Sequence, residues 1–399
     1  MGMRIGVIGT GVMGAFHVQL LHSEVSGATV TAVADPDPER AGAAAAAVGA
    51  IAFSDPLELI HHPEVDAVLI ASPDFLHAEQ TLACIAAGKP TLCEKPLSYS
   101  VEEARRVVTA HREVVGDGTP LVHQGFMRRF DVGYVAQKQE VASGRHGRPV
   151  MVHSIGRGVT TGPGATDESV IFNAAIHDLD LVPWLLESPV TEVSWHAPAG
   201  RRRGLEESER LTGAATAAAP EQSTGGGLRD PFFLLLRTAD GALSTVDIYL
   251  NARYGYDMRC EVVCETGTVA ITEPHRIAVA SELASATGIP EDFRPRFAEA
   301  YRLELQEWVT ALNEGRAPTL ATVEDGAIAT LVAAAAVESM HSGGAFVRVA
   351  GLDAAAEAEQ GDGVGSTTWA ETTVLTEVAD PEPAPAQTAD TTELPGEAR

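Results

Sequence analysis

Two side chains in this 399-residue sequence stand where a proton could be moved. The first is Lys95, in Thr91-Leu92-Cys93-Glu94-Lys95-Pro96-Leu97. Gly88-Lys89-Pro90 breaks a helical run, Thr91 to Cys93 reads as a short buried strand, and Pro96 disfavours the helical region for the residue before it. Lys95 is thus held extended where the strand stops, and in an open α/β sheet ligands bind at the carboxyl ends of the strands. It is either a solvated charge there or a catalytic cation. The second is His177, within an apolar helix from Val170 to Leu186. Residues three and four apart share a helix face, so Asn173, His177, Asp180 and Trp184 line one side, while Pro183 should kink the helix or mark its boundary. Oxidising a secondary alcohol requires a base that takes the hydroxyl proton as hydride leaves carbon. Histidine suits that step, with an ordinary pKa of about 6.5, and an ammonium beside it stabilises the developing alkoxide.

The elements that must position these groups begin at the N-terminus. Arg4 to Ile8 is a short apolar strand followed by Gly9-Thr10-Gly11-Val12-Met13-Gly14 and then a helical run from Ala15 to Leu21. Gly-x-Gly-x-x-Gly between a strand and a helix is the context of a dinucleotide-binding turn. Gly9 allows the tight turn, Gly11 lets backbone approach a pyrophosphate, and Gly14 permits close helix–strand packing. The helix N-terminus offers unpaired N–H groups to phosphates. A second strand, Thr29 to Ala34, ends at Asp35, whose carboxylate suits the ribose hydroxyls and repels a 2′-phosphate, favouring NAD over NADP; the alternative is that Asp35 merely begins the Asp35-Pro36-Asp37-Pro38 turn. The strand Asp66 to Ala71 runs into Ser72-Pro73-Asp74 and a helix with His77 in its first turn. The cofactor set expected from this reading is Gly9, Gly11, Val12, Met13, Gly14, Asp35, Ser72, Pro73, His77, Glu94 and Lys95, although a histidine placed like His77 is more often a surface or packing residue.

These units make an α/β fold: a doubly wound parallel sheet of Rossmann type over residues 1–125, then a second α/β domain over 126–350. There the strands from Met151 to Arg157, Val190 to Ala197, Phe232 to Thr238, Ala242 to Leu250, Asp257 to Glu265 and Thr268 to Thr272 are punctuated by Asp240-Gly241 and Thr266-Gly267, which suggests a predominantly antiparallel sheet. The last helices, near 296–313 and 323–342, lack a catalytic signature and are expected to pack back on the first domain. Cys260 and Cys264 alternate with Glu261, Val263 and Glu265, so they belong to a strand with an inward cysteine face, and no metal site is expected. Residues 199–228 read as a flexible excursion. From about 351 the chain is a tail rich in Ala, Glu, Thr and Pro that should be disordered; from Asp353 onward it has eleven acidic residues and one arginine.

The net charge of −27 argues against nucleic acid or an anionic membrane as partner. The chain enters strand-like sequence at once, apolar runs fall short of the ~18 residues of a bilayer span, and four cysteines do not make a disulfide framework. A cytoplasmic protein is expected.

The glycine loop, Glu94-Lys95-Pro96 after a later strand, and the helical His177 together resemble the glucose–fructose oxidoreductase/inositol dehydrogenase family over residues 3–350. Phe126-Met127-Arg128-Arg129-Phe130-Asp131 and Ile176-His177-Asp178-Leu179-Asp180 look most like its inositol 2-dehydrogenase branch in the actinobacterial form. The resemblance implies a Rossmann domain joined to a second domain whose open sheet packs subunits into a dimer or tetramer, with NAD as cofactor and a small polyol as substrate. For the inositol branch it implies oxidation of myo-inositol to 2-keto-myo-inositol. On this basis His177 is the expected general base, Lys95 its electrostatic partner and Asp180 an acceptor for a substrate hydroxyl, with Arg128 and His153 as further substrate contacts. Many relatives carry aspartate four residues before the histidine; Asn173 stands there instead, able to orient an imidazole but not to neutralise an imidazolium, so a less basic His177 is expected. The competing expectations are a dehydrogenase of another cyclitol or an aldose, an NAD-dependent glycoside hydrolase, and a non-catalytic NAD sensor.

Overall fold

A strand paired on both edges and covered on both faces needs almost continuous apolar sequence, and the N-terminal segments supply it. In the computed structural model of the chain the described residues are 2–162, 164–198, 228–272, 278–281 and 283–353. The expected excursion, except Leu228, and the tail beyond 353 lie outside them. The first part alternates β1 (Met3–Ile8), α1 (Val12–Ser23), β2 (Ala28–Ala34), α2 (Pro38–Val48), β3 (Ile51–Phe53), α3 (Pro56–Ile60), β4 (Ala67–Ile70), α4 (His77–Ala86), β5 (Thr91–Glu94), α5 (Val101–Val115) and β6 (Val122–Gly125). The strands pair in parallel in the order β6-β5-β4-β1-β2-β3, and every residue of β4, β5 and β6 is buried. The strand order reverses beside β1, which puts the glycine loop at the crevice where doubly wound sheets take ligands. Helix starts follow local chemistry: Asp37 accepts from the N–H groups of Glu39 and Arg40 with Pro38 in the first turn, which satisfies backbone donors that the helix leaves unpaired.

The second part contains a 3-10 turn at Met127–Phe130, α6 (Val132–Ala142), β7 (Pro149–Arg157), α7 (Asp167–Val170), a π-turn at Ile171–Ala175, α8 (Ile176–Leu186), β8 (Val190–His196), β9 (Phe232–Thr238), β10 (Leu243–Tyr249), β11 (Asp257–Cys264), β12 (Gly267–Ala270), a hairpin of β13 (Ala278–Ser281) and β14 (Ala284–Thr287), α9 (Phe293–Glu314), β15 (Ala321–Thr322), α10 (Val323–His341) and β16 (Val347–Arg348). Its sheet runs β12-β11-β7-β10-β9-β8-β16. All these pairings are antiparallel except β7 with β10. Alternation sorts the two faces: Val152, Ser154 and Gly156 of β7 are buried, whereas Met151, His153, Ile155 and Arg157 are not. Cys260, Val262 and Cys264 of β11 face inward and the cysteines are free, as their spacing suggests.

The chain then returns to its beginning. β15 pairs antiparallel with β6 as an edge strand of the first sheet. On α9, Gln306 and Asn313 donate to the carbonyls of Ser26 and Gly27. The helical stretch from Asp167 to Leu186 is long and apolar enough to cross a membrane by length and composition, but 72% of that window is buried inside the fold, so it is a core helix. Pro183 does not end it.

His123 of β6 is buried and its Nδ1 has no partner among the described residues. Burial, with a smaller contribution from His111, pushes its pKa down to about 4. The unfolded chain binds this proton at ~6.5, so the native state disfavours it across the interval between. Stability is therefore expected to fall as pH drops from about 6.5 towards 4. Urea unfolding of His123→Phe should show a shallower slope with pH over that range than the parent chain.

Candidate active site

Gly9 adopts φ +86°, and a Cβ there would lie 2.5 Å from the Ala71 carbonyl oxygen; a Cβ on Gly14 would lie 1.8 Å from the Gly9 carbonyl oxygen. Only glycine permits this closure of loop on strand. Above Gly11 the space is open, with nothing within 4 Å of the same added carbon. That space belongs to a cleft of about 370 Å³ that the loop shares with Val12, Met13, Asp35, Ser72, Pro73, His77, Glu94 and Lys95. The residues expected to hold a dinucleotide therefore share one surface; Gly14 lies beneath it as the packing contact.

Asp35 closes one end. Its oxygens accept from the N–H and hydroxyl of Thr10, the N–H of Asp37 and the Arg40 guanidinium. Burial alone would raise its pKa, but the Arg40, Thr10 and Asp37 bonds outweigh that and hold it at about 2. Asp35 is thus a fixed anion. Arg40 beside it is a cation that the sequence reading did not single out, and it also lines the cleft.

Lys95 closes the other end. Its side chain is half-buried and its Nζ lies 3.4 Å from the Asn173 carbonyl oxygen. The preceding Glu94 is buried: one oxygen contacts His17 Nε2 at 2.7 Å and the other accepts from the Lys95 N–H at 3.2 Å. Gln124 adds bonds to the Cys93 and Glu94 carbonyls. His17 had no motif to announce it; its place on α1, three residues after Gly14, is the only trace in the sequence. Beneath this group, Glu304 of α9 is 1% exposed, and burial with Glu94 and Asp180 nearby raises its pKa well above the usual carboxylate range.

His177 enters from α8. It is 9% exposed, its ring meets Phe126 edge-on at 6.3 Å, and its Nδ1 has no partner among the described residues. Burial lowers its pKa well below the ordinary value, and the charges of Arg128 and Lys95 lower it further. The imidazole is neutral at pH 7, able to accept a proton.

Four expected contacts are placed differently. Asn173 does not bond the imidazole. It lies in the π-turn, where i→i+5 bonds break the four-residue stacking of an α-helix, and its Nδ2 donates to Tyr99, whose hydroxyl donates to Asp74. Asp180 is not a free acceptor: both its oxygens accept from Arg129, at 2.6 and 3.0 Å. Arg128 is 3% exposed, paired with Asp178 at 2.7 Å and flanked by the rings of Tyr134 and Phe297, so it faces protein. His153 is on the uncovered face of the second sheet, bonded to Thr245, because β7 alternates and the neighbouring Ser154 is the residue that reaches α8, through Asp178. No group of His, Cys, Asp or Glu suited to a metal occurs among the described residues.

A glycine-loop crevice lined by a fixed aspartate anion and a lysine, with a neutral buried histidine near enough to feel that lysine's charge, suits a nicotinamide-dependent oxidoreductase. The family profiles agree: that of an oxidoreductase family with an NAD-binding Rossmann fold matches residues 3–115, and that of its C-terminal alpha/beta domain matches 138–349. The chain belongs to this family, the Gfo/Idh/MocA oxidoreductases. It is similar to "Inositol 2-dehydrogenase 2" of Paenarthrobacter aurescens, 48% identical over 88% of this chain and 99% of the relative. A second relative, "Inositol 2-dehydrogenase 2" of Saccharopolyspora erythraea, is 44% identical over 86% of this chain and 94% of its own length. Among solved structures, myo-inositol dehydrogenase from Lactobacillus casei in complex with NAD(H) and myo-inositol superposes with a TM-score of 0.78 at 29% identity, over 88% of this chain and 98% of that one.

The Arg128–Asp178 pair generates a prediction. Removing one member of a buried pair strands the other charge and costs about 3–5 kcal/mol. Arg128→Met should lose stability on that scale in urea unfolding. A residue that only bound substrate would instead raise KM with stability intact.

Proposed function

We propose that the chain oxidises myo-inositol to 2-keto-myo-inositol with NAD, His177 acting as general base and Lys95 as its electrostatic partner. The observation that carries this reading is a neutral, buried imidazole close enough to the cleft-lining Lys95 ammonium for that charge to lower its pKa. When bound, NAD supplies the hydride acceptor, and the glycine loop, Asp35, Ser72 and Pro73 would hold it. His177 takes the hydroxyl proton. Lys95 orients the hydroxyl and offsets the charge that grows on oxygen. Glu94 fixes the Lys95 backbone through the bond to its N–H, and Asn173 shapes the wall through Tyr99. Asp180 acts on the pocket through Arg129. Similarity to the inositol 2-dehydrogenases supports the choice of polyol; another cyclitol or an aldose is the second reading, because a few pocket side chains separate such isomers.

We also infer a homo-oligomer in the cytoplasm. The uncovered face of the second sheet presents Met151, Ile155, Phe233, Leu235 and Tyr249, an apolar surface suited to a second copy, and the four cysteines are all free. Light scattering should give a mass above that of one chain.

Turnover of NAD with a polyol panel tests the main reading: myo-inositol should be fastest, and NADP slower, because the fixed Asp35 anion repels a 2′-phosphate. Lys95→Met and His177→Asn should each lower kcat by ~10²–10⁴-fold. A base must be unprotonated to act, so activity is lost as pH falls through the His177 pKa. That acid limb should lie below pH ~6.5, the ordinary histidine value, and Lys95→Met, which removes a positive neighbour, should move it upward.

A further inference from the structure

His77 is 1% exposed, and both its ring nitrogens face main-chain carbonyls. Nδ1 lies 2.7 Å from the Pro96 oxygen and Nε2 lies 3.0 Å from the Ser72 oxygen. A carbonyl oxygen only accepts hydrogen bonds. A neutral imidazole carries one N–H and one lone pair, so in either tautomer one nitrogen would set its lone pair against a carbonyl. Only the doubly protonated ring satisfies both contacts.

We propose that His77 is a buried imidazolium that ties together the loops following β4 and β5, and so is a positioning residue for Lys95. The two carbonyls it grips flank the closed end of the cleft. Pro96 follows Lys95 directly, and Ser72 precedes the Pro73–Asp74 wall. Ser72 is further fixed by its hydroxyl, which donates to Gln80 one turn along α4. Among the groups facing the ring, the carboxyl groups of Asp74, from the turn before α4, and Glu94 of β5 can sustain the charge, and the Cys93 thiol of β5 lies beside them. From α5, packed alongside, the apolar Ala104, Val107 and Val108 cluster with Ala78 and Leu97, while Glu103 accepts from the Ser98 hydroxyl and His111 is buried further along the helix. Burial by itself would lower the pKa of His77, but Cys93, the Pro96 carbonyl and Asp74 raise it to about 9. β4 and β5 pair up to Ile70 and Cys93; beyond that point His77 holds the two departing loops at a fixed separation, and with them the direction in which Lys95 leaves the sheet.

The importance of this strut for turnover rests on the polyol dehydrogenase reading; the charge on the ring does not. The test is nitrogen NMR of the full chain labelled with 15N-histidine, followed from pH 6 upward, with His77 assigned by its loss in His77→Gln or by through-bond correlation in the parent chain. Both nitrogens should resonate as an imidazolium at pH 7.5 and lose that signature only near pH 9. A neutral tautomer at pH 7.5 would overturn the proposal. In the second arm, folded His77→Gln should lose ~10- to 100-fold in kcat with the polyol KM changed less, while an unaltered kcat would remove the positioning role. Absence of polyol turnover in the parent chain would count against the dehydrogenase reading and leave the NMR result standing.

Discussion

Two buried ion pairs hold the cleft in register. Arg128 and Arg129 follow β6, at the end of the first sheet, and reach Asp178 and Asp180 on α8 of the second part. These aspartates follow His177 on α8 by one and three residues, so the helix that carries it is tied to the end of the first sheet by two guanidinium–carboxylate contacts. Such pairs contribute little net stability once desolvation is counted, yet they define one arrangement sharply, because any other would strand a charge away from water. The chemistry at the cleft therefore depends on charges that do not themselves touch the pocket. Asp180 shows the strain of that arrangement: burial raises its pKa to about 6 even though Arg129 pulls it down.

The same economy runs through the Lys95 end. The lysine is steered by its neighbours in the chain: Glu94 on its N–H, His17 behind Glu94, and the carbonyl after Lys95 gripped by His77. Each anchor comes from a different helix or strand of the dinucleotide-binding part. The Lys95 end of the cleft is thus built by the same fold that carries the glycine loop.

Much of this was legible in the sequence because it lay in short stretches with a period or a motif. The glycine loop, Asp35, Ser72–Pro73 and Glu94-Lys95 arrive in one cleft because each sits at a strand end that hydrophobic patterning located. What sequence could not deliver were contacts between distant segments. His17 meets Glu94 across 77 positions, and Arg129 reaches Asp180 across 51. No local pattern separates an aspartate that binds substrate from one claimed by a buried arginine. The π-turn is a further case: Ile171 to Ala175 reads as ordinary helix, and the displacement of Asn173 from the His177 face follows from backbone geometry that composition does not encode. His153 was misplaced for a simpler reason. Alternation along β7 was visible, but which face met α8 was not.

The central claim is that a polyol hydroxyl sits between the His177 imidazole and the Lys95 ammonium, with Asp180 engaged elsewhere. A crystal structure with NAD and myo-inositol bound tests it most directly. One hydroxyl oxygen is expected within hydrogen-bond reach, about 2.6–3.2 Å, of both a His177 ring nitrogen and Lys95 Nζ, while Asp180 remains paired with Arg129. A polyol held instead by a released Asp180, with His177 and Lys95 contacting only protein, would contradict it.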